Sequence, residues 1–180
     1  MKKGIAIIFL MLILFSATKT VFAANWSPAK DEYWIQVNKE QLRISLFKGY
    51  EPQKSWYVSV GRGVGTIKKS RFDFITPTGT YTIYRTIKDA SKIVYDPSWF
   101  DEPGEPTEGV YGSKLISFYN KWQIAIHGTN VPNSIGRRVT HGCIRMRNAE
   151  IDVLVPYVKR GMKLVITDGM KERPFSKETI

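Results

Sequence analysis

Val139 to Met146 reads V-T-H-G-C-I-R-M and holds the chain's one cysteine, Cys143. The chain's two histidines, His127 and His141, stand sixteen and two positions before it. A free thiol has a pKa of about 8.5 and is only a few per cent thiolate at neutral pH, so a cysteine that attacks an electrophile needs a base beside it. A histidine within hydrogen-bond reach can take the proton, and the imidazolium then stabilises the thiolate. Gly142 permits backbone N–H groups around the cysteine to converge on the oxyanion formed when a thiolate attacks a carbonyl, each such donor being worth about 3–4 kcal/mol. Arg145, with Arg137 and Arg138, adds permanent positive charge suited to a substrate that ends in a carboxylate. Acyl transfer by a cysteine nucleophile uses all of these parts.

Each residue also has a plainer reading. Free cysteine is among the most buried residue types and serves as small apolar filler. His127, at the end of an alternating stretch, fits a satisfied structural histidine, and His141 fits a surface residue. His127, His141 and Cys143 offer only three ligands for zinc, with no clear fourth and without paired-cysteine spacing. Taken together, the glycine, the second histidine, the arginine and the absence of another cysteine weigh toward catalysis.

The elements that must position these residues are mostly β. Tyr33–Val37 and Gln41–Phe47 are β-branched and aromatic runs joined by N-K-E, which reads as a tight hairpin turn, and Trp56–Val60 follows as a third strand. The basic, glycine-punctuated stretch from Gly61 to Arg71 opens no helix and makes a poor phosphate loop; it reads as a flexible surface loop. T-P-T-G at Thr76–Gly79 is a turn, with alternating T-Y-T-I-Y leaving it as a strand. Lys88 to Gly112, rich in proline, glycine and acids, is a long loop of the kind that forms lids or binding loops. Lys114–Tyr119 and Trp122–His127 return as strands, the second carrying His127 at its end. One helix starts near Asn148 as N-cap, repeats apolar residues at Ile151, Leu154, Val155 and Val158 and ends at Gly161, with Pro156 kinking it or stopping it early. Met162–Thr167 is the last strand.

Residues 1–24 have a charged start, an apolar run and V-F-A-A, the pattern of a secretory signal cleaved after Ala23 or Ala24. The run is shorter than the roughly 20 residues a membrane span needs, so no stable span is expected after cleavage. The whole chain carries +11; removing residues 1–23 takes away three lysines and no acid, leaving +8. Outside the cytoplasm, that charge points to anionic envelope polymers or lipid headgroups and away from nucleic acid. The domain reading is a signal at 1–24, a short segment at 25–32, one mainly β domain with one or two short helices at 33–168, and a polar tail at 169–180.

H-G-T-N, S-I-G and T-H-G-C-I-R-M, preceded by F-I-T-P-T-G-T-Y-T-I, resemble the signature of the L,D-transpeptidase (YkuD-like) catalytic domain across roughly Tyr33 to Asp168. The resemblance implies a β-sandwich-like fold and an envelope enzyme acting on peptidoglycan stem peptides, without a cofactor, in the periplasm or cell wall. It makes Cys143 the nucleophile, which attacks the third residue of a donor stem tetrapeptide and expels the terminal D-alanine. His127 becomes the base, and an amine of a neighbouring stem or of a wall-attached protein becomes the acceptor. Thr140, His141, Gly142, Arg145 and Gly128 fall at oxyanion or substrate-binding positions, with an orienting or electrostatic role for His141. Thr140 stands where serine is commoner, and Arg145 where one branch has asparagine. Water in place of the amine would give an L,D-carboxypeptidase or another hydrolase, and loss of the chemistry would give a wall-binding protein.

Overall fold

The computed structural model describes residues 26–169. The signal read at residues 1–24 and all of the polar tail but Gly169 lie outside the described residues. β1 (Tyr33–Asn38) and β2 (Arg43–Lys48) form the expected antiparallel pair. Their alternation sends Ile35, Val37, Ile44 and Leu46 inward, while Trp34 stacks on Phe47 with centroids 4.5 Å apart.

β3 (Glu51–Tyr57) corrects the expected strand at Trp56–Val60: it begins five residues earlier and stops at Tyr57. E-P-Q-K-S lacks apolar alternation because β3 is an edge strand bonded only to β2, with its first five residues exposed on both faces. Pro52 is tolerated there, next to a register shift in the ladder. Val58 and Val60 turn into the core, Val60 within β4 (Val60–Gly61).

The remaining strands are β5 (Gly79–Ile87), β6 (Leu115–Phe118), β7 (Ala125–His127), β8 (Arg138–Thr140), β9 (Ile144–Arg145) and β10 (Lys163–Thr167). The short β8 and β9 were not expected, since two or three residues carry too little alternation to read. The main sheet runs β3-β2-β1-β10-β5-β6-β7-β9, and β4 pairs with β8 apart from it. β5 joins the two halves of the sheet and carries a register shift between Ile83 and Arg85. Both halves feed one core, with Ile35, Ile44 and Leu164 from one and Ile116, Phe118, Ile126 and Ile144 from the other. This is the mainly β architecture expected.

The helix α1 (Asn148–Leu154) buries Ile151 and Leu154, and Pro156 turns its end into a 3-10 turn over Val155–Tyr157. Its N-cap is Arg147, one residue before the expected Asn148. The Asn148 side-chain oxygen is spent elsewhere, accepting from Thr129 N at 2.8 Å and Ser113 N at 3.2 Å. It thereby ties the exit of β7 to the entry of β6.

Candidate active site

β9 lies parallel to β7, with Ile126 opposite Ile144 and His127 opposite Arg145. Cys143 immediately precedes β9. Parallel pairing thus brings a histidine and a cysteine sixteen residues apart onto one strand pair, with the intervening segment looping out to pair β8 with β4. A reciprocal pair of backbone bonds between Ser59 and Arg145, at 2.9 and 2.8 Å, holds the other edge of β9.

His127 is 3 % exposed. Its Nδ1 lies 2.6 Å from the Gly128 carbonyl oxygen. A carbonyl only accepts, so Nδ1 carries the proton and Nε2 keeps its lone pair. Burial, helped by Arg145 and opposed by the Gly128 carbonyl, pushes the ring's pKa down to about 4, which leaves it neutral at pH 7. The Tyr111 ring meets it edge-on at 5.0 Å.

Cys143 keeps some solvent surface, yet dense packing around the sulfur pushes the thiol pKa up. Three groups oppose that shift: the Ala125 backbone, Arg145 and Lys68. Among the described residues, the His127 ring and the thiol share no hydrogen bond. Such bonds are often long before substrate binds.

The turn before the cysteine is tied on every side. Gly142 has φ +129°, and a Cβ there would come 2.9 Å from the Ile75 carbonyl oxygen, so glycine is required. Thr140 Oγ1 accepts from Gly142 N at 3.1 Å and donates to the Cys143 carbonyl at 2.6 Å. From the T-P-T-G stretch, Thr76 Oγ1 donates to the Gly142 carbonyl at 2.7 Å and accepts from Gly61 N at 2.8 Å. Lys39, 1 % exposed, braces the assembly by donating to the carbonyls of Thr76 at 2.9 Å and Gly65 at 2.6 Å and pairing with Asp168 at 3.2 Å.

Sequence reasoning missed Thr76, Lys39 and Lys68 as parts of this site. Thr76 stands in T-P-T-G only as a turn residue, and Lys39 only as the middle residue of the N-K-E turn. The stretch Gly61–Arg71 lies mostly at the surface, as expected, but Gly61 and Lys68 are buried, and a Cβ at Gly61 or Gly63 would strike the backbone of Phe74 or Asp73, so these two glycines serve close approach of two backbones.

His141 is held by aromatic and acidic partners. It stacks on Phe100 at 4.1 Å, its Nε2 lies 2.8 Å from Glu102 Oε1, and its Nδ1 lies 3.4 Å from the Tyr95 hydroxyl. These partners belong to the long segment 88–112, which also supplies Tyr111 to His127. Glu102 accepts from Arg62 at 2.9 Å as well, and Arg71 donates to the Trp99 carbonyl at 3.1 Å. The two imidazoles thus have different partners, and the described residues hold no group of three metal-binding side chains.

Arg145 donates through Nη1 to Ser134 Oγ at 2.9 Å, while its Nε is buried without a partner. Arg138 is spent on the Lys39 carbonyl at 3.0 Å. Gly128, besides its carbonyl, presents a Cα so close to the Asn148 side chain that any Cβ would collide.

Residues 32–166 match the family model described as the L,D-transpeptidase catalytic domain, YkuD. A Bacillus subtilis (strain 168) protein designated L,D-transpeptidase YqjB is 26 % identical over 164 residues, covering 89 % of this chain and 85 % of that protein. A second protein of that strain, designated L,D-transpeptidase YkuD, is 34 % identical over 134 residues, covering 74 % of this chain and 65 % of that protein. Among solved structures, an L,D-transpeptidase from Mycobacterium smegmatis superposes with a TM-score of 0.56 at 17 % identity, covering 76 % of this chain and 58 % of that one. L,D-transpeptidase 3 from Mycobacterium tuberculosis gives 0.58 at 14 % identity, covering 76 % and 61 %. The structural likeness is one of fold, and this chain spans about three fifths of those two solved chains.

Proposed function

The chain belongs to the YkuD family of L,D-transpeptidase catalytic domains, and from that membership we propose that it is an exported cysteine acyltransferase acting on peptidoglycan stem peptides in the periplasm or cell wall. The observation that carries this reading is the His127 tautomer. Its Nδ1 is committed to the Gly128 carbonyl at 2.6 Å, which leaves Nε2 as a base beside the strand that begins after Cys143.

In this mechanism a donor tetrapeptide lies under segment 88–112. Nε2 takes the thiol proton as Sγ attacks the carbonyl carbon of the third stem residue. The oxyanion is met by the Cys143 amide, because Thr140 already takes the Gly142 N–H. Collapse breaks the bond to the terminal D-alanine, whose amine leaves with the proton held by His127, and a thioester remains on Cys143. An amine of a neighbouring stem, or of a wall-attached protein, then attacks the thioester. It passes a proton to His127, which returns it to the departing sulfur. The unpartnered Arg145 Nε supports a role for that residue in holding a substrate carboxylate. Gly128 serves through its carbonyl, Thr140 and Gly142 by shaping the turn, and His141 by holding segment 88–112.

The test is mass spectrometry of purified tetrapeptide muropeptides incubated with the protein, beside Cys143→Ala. The expected result is a cross-linked dimer formed with loss of D-alanine and absent in the variant. D-alanine release without dimer would make the protein a hydrolase, and an unchanged substrate would sink the reading.

A further inference from the structure

We propose that Lys68 is a positioning residue for the nucleophile, a buried cation that holds the backbone of the cysteine turn and supplies fixed positive charge against which the Cys143 sulfur ionises. The assignment rests on the acyl-transfer reading above.

Lys68 is 6 % exposed. Its ammonium pairs with Asp73 Oδ1 at 2.8 Å, contacts the His141 carbonyl oxygen at 3.5 Å and lies 5.7 Å from the centroid of the Trp122 ring. His141 is two residues before Cys143, so the charge stands against the nucleophile's own backbone. Asp73 is anchored independently. Its carboxylate accepts from the backbone N–H groups of Lys69 at 2.6 Å, Ser70 at 2.9 Å and Ile75 at 3.0 Å, and these with Lys68 hold it well below the usual carboxylate range despite burial. It therefore stays ionised and fixes the ammonium in place.

The site needs such a charge because its base cannot provide one. The ionisable groups facing Cys143 are His127, Tyr111, Arg145 and Lys68. His127 is neutral at working pH and Tyr111 is held in its neutral form by burial, so of these ionisable groups Arg145 and Lys68 favour the thiolate, beside the Ala125 backbone. Arg145 has a buried Nε free for a substrate carboxylate, and once engaged its charge is shared with that ligand. Lys68 is held by Asp73 instead, and its charge persists through the cycle.

The experiment is the pH dependence of Cys143 alkylation by iodoacetamide in the purified protein, with Cys143→Ala as blank and with the fold and melting temperature followed separately. Lys68→Met, or Lys68→Gln where Met is not tolerated, is expected to raise the midpoint by about one pH unit and to slow alkylation about 10-fold at neutral pH. Lys68→Arg should restore most of both. Asp73→Asn, which leaves the ammonium without its counter-charge, should move the midpoint down. A purely structural ion pair would lower melting temperatures and leave the midpoints where they are, and that result, or an upward shift in Asp73→Asn, overturns the proposal. D-alanine release is assayed in parallel. Shifted alkylation midpoints in a protein that releases none would sink the acyl-transfer reading and leave the charge assignment standing.

Discussion

The chain holds one thiol and two imidazoles in one window, and the Gly128 carbonyl decides which nitrogen of His127 keeps its lone pair. With Nδ1 bound to a carbonyl and the ring buried, His127 has a pKa of about 4 when folded against 6.5 as the ordinary value. Between those values the unfolded chain binds the proton and the folded chain does not, so stability falls as pH drops from about 6.5 to about 4. The loss reaches roughly 3 kcal/mol at the lower end, an order-of-magnitude figure. His127→Gln removes the titrating ring, and urea melts across that window should show a flatter pH dependence than the parent. Equal slopes would mean that the buried ring is not neutral. Lys68, Thr76 and Lys39 stayed hidden at this scale because nothing in a lysine or threonine codon marks it as buried; only the carbonyls they meet do so.

Among elements, the interior strands were legible and the edges were not. β1 and β2 alternate cleanly because one face of each packs on the core, whereas β3 has no such face over E-P-Q-K-S and left no pattern. The segment 88–112 could be recognised as a long loop, but its attachment depends on one carboxylate. Glu102 bridges Arg62 at 2.9 Å and His141 at 2.8 Å, which joins the segment to both β4's exit and the turn before Cys143. Those charged contacts act beside the Phe100 stack on His141, the Tyr111 contact with His127 and the Arg71 bond to the Trp99 carbonyl. Glu102→Ala should therefore free the segment without disturbing the core. Hydrogen exchange is expected to accelerate about 10-fold or more across residues 95–111, matching the loss of roughly 1–2 kcal/mol in partly exposed charged contacts, with the β1 and β10 amides unchanged. Exchange rates equal to the parent's would show that the remaining contacts alone hold the segment down.

For the whole molecule, a curled sheet with one shared core leaves its chemistry at the end where β9 meets β7, and its charge spread outside. The fold class followed from patterning, but the parallel pairing of β7 with β9, on which the site depends, did not. Its two residues are too few to carry a period, and only the assembled sheet dictates their place. Charge is the property that sequence states without help from the fold: 27 basic residues against 16 acidic ones. Lys39 and Lys68 are buried but paired with Asp168 and Asp73, so each pair is internally neutral and the net positive excess is carried by the other residues. The solvated remainder should still draw the protein to an anionic wall polymer through long-range attraction, which salt screens over about 8–10 Å near physiological ionic strength. Cys143→Ala bound to isolated sacculi should then lose affinity, by about tenfold or more, as ionic strength rises from about 0.05 M to about 0.5 M. Recognition confined to Arg145 predicts a much weaker dependence, because a buried carboxylate there is screened far less than surface charges are. Pelleting assays across that salt range separate the two, and affinity indifferent to salt would remove the basic surface from any part in targeting.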